Sequence, residues 1–263
     1  MKYISTIAFF SFIFSQLSAQ FNPGDIGYQQ TEFELYKKNN VEAAHLTTLE
    51  MDGSMTPNQT NYYDKTGRLA QIVYNYDRVI SPEARKAEKN DVFSYDNNNN
   101  VTSIIMHGHE INDIVKAFEH QNGKVITKRV TGAEEKVYSY TYDNNNNVIE
   151  VIGKTSSFEK DVEGNPTTKV IYNETEKNQY TWNNNNQLVQ DVLYMNGGFY
   201  YKIKYNYNDK KQLIDYAVFL EEAENAIPAF TTSIEYSANG LPEKIVNVVM
   251  GFSSFTSISY TFY

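Results

Sequence analysis

The chain has 263 residues, 41% of them hydrophobic, which is enough for one large all-β domain or two ordinary domains with a real core. It has no cysteine, so no disulfide can hold it together, and its net charge of −9 without clustered Lys or Arg argues against nucleic acid as a partner. The unusual features are 22 Tyr and 30 Asn.

Residues 1–19 are predicted to be a secretory signal peptide. They carry one positive charge at Lys2, an apolar run from Ile4 to Phe14, and small residues at Ser18 and Ala19. The apolar run is too short to span a bilayer stably. We therefore expect a chain that is secreted to the periplasm or cell surface of a bacterium and is not membrane-spanning after cleavage.

Residues 20–60 are expected to form N-terminal strands or a cap. The segment Val41–Met51 fits a strand or a short helix, and Thr47 and Thr48 favour the strand because β-branched residues suit it. Residues 61–263 are predicted to form a separate domain of repeated units.

The repeated unit has an aromatic residue first and, in five of six copies, Leu or Val seventh. The copies are YDKTGRL (Tyr63–Leu69), YDNNNNV (Tyr95–Val101), YDNNNNV (Tyr142–Val148), WNNNNQL (Trp182–Leu188), YNDKKQL (Tyr207–Leu213) and YSANGLP (Tyr236–Pro242). A degenerate copy, KDVEGNP (Lys160–Pro166), lacks the aromatic residue. Tight turns favour Asp or Asn at their start and need Gly or Asn at a positive φ angle, so each unit is predicted to be a turn; Gly67, Asn99 and Asn146 fill the fifth position of the first three copies and are expected at positive φ.

Aromatic residues alternate with polar residues before each turn, and a β-branched run follows it. Alternation with period two indicates strands, so each unit predicts a β-hairpin. The predicted fold class is all-β, an antiparallel meander of about a dozen or more strands forming a curved or sandwich-like sheet. The best helix candidate is Ser81–Asn90, with Ser81 as N-cap and Pro82 at the first helical position.

The aromatic residues in register on one strand face are interpreted as core. Aromatic residues out of that register are better candidates for a binding surface. They are Tyr62, beside Tyr63; Tyr200, beside Tyr201; and Tyr76. An exposed tyrosine without function is the competing interpretation of each.

Metal and catalytic motifs are weak. The D-x-N-x-N start of a calcium loop occurs at Asp96 and Asp143, but the required Gly and final Glu are absent, which favours a simple turn. His107 and His109 would share a strand face, with His120 near the next turn, but no further ligand is fixed. We expect no metal, no cofactor and no enzymatic activity.

The segments YSYTYDNNNNVIEV (Tyr138–Val151) and NYYDKTGRLAQIV (Asn61–Val73) resemble the Rhs/YD-repeat family. The resemblance covers residues 61–263. It implies a secreted or cell-surface protein whose hairpins build curved sheets, in some members a shell around a toxin. Some members bind carbohydrate.

Three classes of function fit the sequence. The first is a secreted, non-enzymatic binding module of the cell envelope, with a polysaccharide as its ligand by family analogy. The second is a structural or assembly protein that docks another secreted or envelope protein. The third is a small outer-membrane β-barrel, against which Glu150, Asp191 and Pro242 interrupt the apolar alternation of the return strands.

Overall fold

The computed structural model describes residues 30–49, 53–74, 89–108, 112–249 and 252–263. The predicted signal peptide, most of the helix candidate at 81–90, Tyr76 and His109 lie outside these ranges. One helix, α1 (Gln30–Lys38), precedes the strands. The strands are β1 (Val41–Leu49), β2 (Met55–Tyr63), β3 (Leu69–Tyr74), β4 (Asn90–Tyr95), β5 (Val101–His107), β6 (Ile114–Gln121), β7 (Lys124–Thr131), β8 (Glu135–Tyr142), β9 (Val148–Lys160), β10 (Pro166–Trp182), β11 (Leu188–Met195), β12 (Gly198–Tyr207), β13 (Leu213–Phe219), β14 (Phe230–Tyr236), β15 (Pro242–Val249) and β16 (Phe252–Phe262).

The strands form a single closed barrel. Each strand pairs antiparallel with the next in sequence, and β1 pairs with β16 from Val41↔Phe262 to Leu49↔Phe255. The predicted antiparallel meander is confirmed, but the expected curved or sandwich-like sheet is wrong because the first and last strands join. The boundary expected at residue 61 falls inside β2, so β1 and β2 belong to the same sheet as the repeats.

The two ends of the barrel differ in their connections. All six aromatic repeat units lie at one end, between an even-numbered strand and the following odd-numbered strand; we call it the tyrosine end. The start of β1 and the end of β16 lie there too. The copy without an aromatic residue, Lys160–Pro166, joins β9 to β10 at the opposite, far end. The copy that lacks the aromatic residue is therefore the one that lies at the other end of the barrel.

Asp or Asn at the second position of the unit and Asn or Gly at the fifth position stabilise most of these turns. The side chain of Asp96 accepts hydrogen bonds from the backbone N–H groups of Asn98 and Asn100, both at 2.8 Å, and Asp143 repeats this pattern. The fifth residue has a positive φ of 81° at Gly67, 65° at Asn99 and 68° at Asn146, as predicted, and the other three units share this feature, with 57° at Asn186, 64° at Lys211 and 82° at Gly240. The carboxylates that resemble a calcium loop are thus occupied by the turn's own donors.

Substitutions at Asn146 test this account. Asn146→Gly is expected to be neutral or stabilising, because Gly adopts a φ of 68° freely. Asn146→Ala is expected to cost about 1 kcal/mol of unfolding free energy, because Ala is strained at positive φ. Urea unfolding of both variants measures the difference, with Asn145→Ala as control at the preceding turn position. Equal stabilities of the Gly and Ala variants would contradict it.

The aromatic face of the strands is the inside of the barrel. Across the ladders, nearly unexposed side chains share one face, including Leu69, Ile72, Ile104, Val218 and Phe230, each at 1% exposure or less. Large apolar residues of the other face stay exposed, such as Ile126 and Ile149 at 39% and 38%. The in-register aromatic residues therefore form an inner lining, in which Phe93 and Phe230 are buried as a core residue would be, whereas Tyr138 and Tyr140 are only half-buried.

A layer of ring side chains lines the inside at the tyrosine end, one from each even-numbered strand: Tyr63, Tyr95, His120, Tyr142, Trp182, Tyr207, Tyr236 and Tyr260. Most of them bond a carbonyl group at the start of the preceding odd-numbered strand. These bonds are Tyr95–Leu69, Tyr142–Val125, Trp182–Val148, Tyr207–Leu188, Tyr236–Leu213 and Tyr260–Pro242, at 2.5 to 2.9 Å. Each bond joins two successive hairpins, which explains why Tyr or Trp, and not Phe, occupies these six positions.

Loss of one such bond should be measurable. The Tyr142 hydroxyl donates to the Val125 carbonyl oxygen at 2.7 Å, and burial raises the pKa of Tyr142 to about 12. Tyr142→Phe keeps the ring and leaves the carbonyl without this donor, so we expect a loss of about 1 kcal/mol of unfolding free energy. Chemical denaturation measures it. Tyr62→Phe, at a side chain 41% exposed, should change nothing, and equal losses in both variants would refute the role of the bond.

The helix α1 packs at the tyrosine end. Tyr36 is 2% exposed and stacks on Tyr63 with ring centroids 4.2 Å apart. Tyr36 also belongs to the buried cluster that includes Val41 and Leu241. Within the described residues, no helix has the length and apolar character needed to cross a membrane.

Candidate ligand-binding wall inside the barrel

A belt of polar side chains lies on the inner face above the tyrosine layer. Four residues before the ring side chain, most even-numbered strands carry a hydrogen-bonding group: Gln59, Asp91, Lys116, Tyr138, Asn178, Thr232 and Thr256. Several are paired inside the barrel: Tyr74 donates to Asp91 at 2.9 Å, Thr232 donates to Asn247 at 2.8 Å, and the hydroxyls of Thr48 and Thr256 are 3.0 Å apart. Buried polar groups need such partners. The inner surface is therefore built for polar contacts as well as for packing.

Part of this inner face remains accessible. From β6 to β12 many inward side chains are half-buried, although Asp191 is buried and Tyr201 and Tyr205 also pack against the buried cluster around Phe230. We call this part the lysine–tyrosine wall; it consists of Lys116, Lys128, Lys136, Tyr138, Tyr140, Glu176, Asn178, Tyr180, Asp191, Tyr201 and Tyr205. It combines aromatic rings, ammonium groups, an amide and carboxylates on one concave surface.

Gly153 permits the central contact of the wall. Tyr138, Gly153 and Glu176 lie at one level on β8, β9 and β10. Because Gly153 has no side chain, the Tyr138 ring leans across β9 and its hydroxyl donates to Glu176 Oε2 at 3.0 Å. Lys136 Nζ donates to the other oxygen of Glu176 at 2.6 Å, and Lys128 Nζ lies 4.2 Å from the centroid of the Tyr138 ring. The four side chains hold one another in place.

Asp191 is the most deeply placed acid of the wall. It is 8% exposed, and its Oδ1 accepts a hydrogen bond from the Asn178 amide at 3.2 Å. Burial raises the pKa of Asp191 to about 7, and the hydrogen bond from Asn178 offsets part of that effect. Burial, and then the charge of Asp191, raise the pKa of the tyrosines Tyr180 and Tyr205 well above their ordinary value. These phenols therefore remain neutral donors across the physiological range of pH.

The outer face has the opposite character. Ion pairs lie across neighbouring strands on this face: Arg129 with Glu135, Lys177 with Glu150 at 2.8 Å, and Lys244 with Glu235 at 2.8 Å. All six side chains are partly exposed. Exposed pairs of this kind add little stability, but they require water. The outer face thus carries exposed ion pairs, whereas the inner face combines aromatic rings with a few charged groups such as Lys128 and Asp191.

The binding tyrosines proposed from the sequence do not converge. Tyr62 lies on the outer face of β2, 41% exposed, and Tyr200 lies on β12, six strands away around the barrel. Six strand spacings are about 29 Å. Tyr200 is also the extra residue of a bulge, and its ring centroid is 6.0 Å from that of Tyr201, so the expected opposite orientation of these neighbours is wrong.

The histidines do not assemble a metal site. His107 Nδ1 is 2.9 Å from Asp113 Oδ2, while His120 lies in the tyrosine layer, where burial lowers its pKa. The described ranges contain no group of three or more His, Cys, Asp or Glu side chains placed to hold a metal ion.

Sequence reasoning missed the polar members of the wall, although a signal was present. Lys136 stands in register with Tyr138, Tyr140 and Tyr142, and Glu176 and Asn178 stand in register with Tyr180. A charged residue in register with an aromatic stripe lies on the same strand face as that stripe. Such residues mark the place where polar groups interrupt the aromatic lining of the inner face.

Comparisons with known proteins identify the fold. No protein-family model matches the chain, and no curated protein matches it. A porin-like protein from Bacteroides uniformis has a similar structure, with a TM-score of 0.51 and 10% identity over 84% of this chain and 98% of that one. A porin-like protein from Bacteroides vulgatus has a TM-score of 0.44 and 13% identity over the same shares. The first of these structures shares the barrel fold with this chain. At 10% sequence identity, the similarity supports a conclusion about the fold alone.

Proposed function

We propose that this chain is a non-enzymatic binding protein of the bacterial envelope that works in water and holds a carbohydrate against the lysine–tyrosine wall. The observation that carries the proposal is the set of half-buried inward tyrosines beside paired polar groups: Tyr138, Tyr140, Tyr180, Tyr201 and Tyr205. Aromatic faces pack against the apolar faces of sugar rings, and amides and carboxylates bond sugar hydroxyls. Large antiparallel barrels enclose ligand cavities or channels, and a barrel of 16 described strands belongs to that size class.

The outward ion pairs support a barrel surrounded by water. A strand in a lipid bilayer needs about 9–11 residues and an apolar outer band, and a charge at mid-membrane costs about 2–4 kcal/mol. Here β13 and β14 have 7 residues each, and Lys202 and Lys204 lie near the middle of β12 on the outer face. The bilayer would meet charges where it needs aliphatic side chains.

The closed barrel and the porin-like neighbour nevertheless support one alternative better than they support a binding module. That alternative is a small outer-membrane barrel, and the porin-like architecture favours it. Expression of residues 20–263 without detergent separates the two. A monodisperse soluble protein supports the barrel in water, whereas recovery only from membranes or only in detergent supports the outer-membrane barrel.

The binding test uses matched tyrosines from the two faces. The soluble protein is run over an array of neutral and acidic polysaccharides, and affinity for each hit is measured by calorimetry. Tyr140→Leu removes an inward ring and should weaken binding about tenfold or more. Tyr62→Leu removes an outward ring and should leave affinity unchanged. Loss only in Tyr62→Leu would move the site to the outer face, and binding to no polysaccharide would overturn the proposal.

An assembly role is a second candidate, favoured by the projecting hairpin of β9 and β10. These strands have 13 and 17 residues, but β8 reaches β9 only to Thr155 and β11 reaches β10 only from Glu176. Residues 156–172 of the described sheet therefore pair only with each other. The hairpin exposes large apolar side chains: Phe158 at 60%, Val170 at 49% and Tyr172 at 42%. An exposed strand edge with such residues favours pairing with another chain.

The chemistry of this edge fits a second copy of the chain. With Ile171 of one copy opposite Tyr172 of the other in an antiparallel pair, Lys169 of each copy faces Glu174 of its partner. Sedimentation over a range of concentrations tests this. We expect Ile171→Lys to abolish association and Ile149→Lys, on the outer wall, to leave it intact. A monomer at all concentrations would exclude this candidate.

A further inference from the structure

Three lysines face the inside of the barrel on neighbouring strands. Lys116 on β6 and Lys136 on β8 both lie opposite Val130 of β7, and Lys128 is two residues along β7, between Phe118 and Tyr138. Neighbouring strands are about 4.8 Å apart, so the lysine stems start within roughly 10 Å of one another. All three side chains are half-buried.

These charges are only partly balanced. Glu176 binds Lys136, but the described residues place no carboxylate within salt-bridge distance of Lys116 or Lys128. Lys128 instead contacts the Tyr138 ring. The other inward carboxylates nearby are bonded elsewhere, Asp91 to Tyr74 and Asp191 to Asn178. Like charges gathered on a concave wall repel one another, and this arrangement attracts an anion.

This basic surface contrasts with the rest of the protein. The whole chain carries 23 Lys and Arg against 32 Asp and Glu, so most of its surface repels anions. The inward rings of Tyr138 and Tyr140 lie on β8; Lys128 is opposite Tyr138 on β7, and Lys116 is one strand further away on β6. A sugar ring stacked on these tyrosines would therefore bring its substituents to the lysine ammonium groups.

We infer that the ligand of the lysine–tyrosine wall is an acidic oligosaccharide, whose carboxylates pair with Lys116 and Lys128 while its sugar rings pack on the tyrosines. This inference rests on the proposed function and names its substrate class. Charge-assisted hydrogen bonds from lysine to carboxylate are stronger than those between neutral groups, which gives the acidic sugar its advantage. Salt weakens such pairing.

The test compares a polyuronate with its neutral ester. Polygalacturonate oligomers and the same oligomers fully methyl-esterified differ in charge while keeping the sugar backbone. We expect the acid to bind about tenfold more tightly at low salt, and the difference to shrink as salt is added. Alginate and hyaluronate oligomers extend the acidic set, and dextran and glucomannan oligomers extend the neutral set.

Lysine variants locate the effect. Lys116→Gln and Lys128→Gln should each reduce affinity for the acid and leave that for the ester unchanged. Lys154→Gln, at an exposed lysine of the outer face, is the matched control and should change neither. Thermal melting checks that each variant is folded.

The outcomes separate this inference from the proposed function. Binding of neutral sugars as tight as that of acidic sugars, unaffected by Lys116→Gln and Lys128→Gln, overturns the acidic ligand and leaves carbohydrate binding in place. Binding of no sugar in either set overturns both. A preference for the acid that Lys154→Gln removes and the inward variants keep also overturns the inference, because it places the anion outside the barrel.

Discussion

Asp191→Asn is expected to stabilise the protein at pH 8 by as much as roughly 4 kcal/mol and to have little effect at pH 4. Burial raises the pKa of Asp191 from 3.8 to about 7. Between these values the folded chain holds a proton that the unfolded chain has released, so the free energy of unfolding falls as pH rises from about 4 to 7. Asn cannot ionise and keeps a partner for the Asn178 amide, so the variant should lose this dependence.

Urea unfolding of the wild type and Asp191→Asn at intervals from pH 4 to pH 9 measures the effect. The two stabilities should agree below about pH 4 and diverge up to about pH 7, with a constant difference above it. Asp215→Asn changes a carboxyl group on the outer face of β13 and serves as the matched control. Parallel curves for the wild type and Asp191→Asn over the whole range would contradict a buried, ionisable Asp191.

Local features of the fold were predictable because local chemistry determines them. The repeated turn units predicted the β-hairpins. The positive φ of Asn99 and Asn146 was predictable because few residue types other than Gly and Asn tolerate that conformation. The strand at Val41–Leu49 followed from its β-branched threonines. Each of these inferences needed only a few neighbouring residues.

Closure of the barrel was not predictable from alternation. It depends on the pairing of β1 with β16, more than 200 residues apart, and strand periodicity carries no information on curvature. The residues that argued against a barrel have separate explanations in the structure. Asp191 faces inward to Asn178, Glu150 faces outward to Lys177, and Pro242 is the first residue of β15, where a proline is tolerated.

The helix α1 was missed because tertiary contacts stabilise it. Its 9 residues, QTEFELYKK, are too few and too polar to form a stable helix alone. The stacking of Tyr36 on Tyr63 holds it at the barrel end.

The lysine–tyrosine wall was missed for a related reason. Lys116, Lys128 and Lys136 become neighbours only when β6, β7 and β8 are in register. The resemblance to the Rhs/YD-repeat family stays a prediction.

Gly153→Ala is expected to destabilise the protein by about 1–3 kcal/mol, because overpacking forces neighbours from their positions. A Cβ atom at this position would lie 2.7 Å from Tyr138 Cε1 and 3.1 Å from Glu176 Cβ. The ring must move, and its bond to Glu176 is then lost, so the variant should also weaken ligand binding at the wall.

Gly198→Ala is the control for Gly153→Ala, because a Cβ there would come no closer than 3.7 Å to the Met195 carbonyl oxygen. Denaturant unfolding of both variants gives the costs. The cost of Gly153→Ala should shrink when it is combined with Tyr138→Ala, since the smaller side chain removes the clash and the two changes are coupled. A cost that is equal in the presence and absence of the Tyr138 ring would mean that Gly153 is required for the backbone of β9. The passage of Tyr138 across that strand would then not be the reason for its presence.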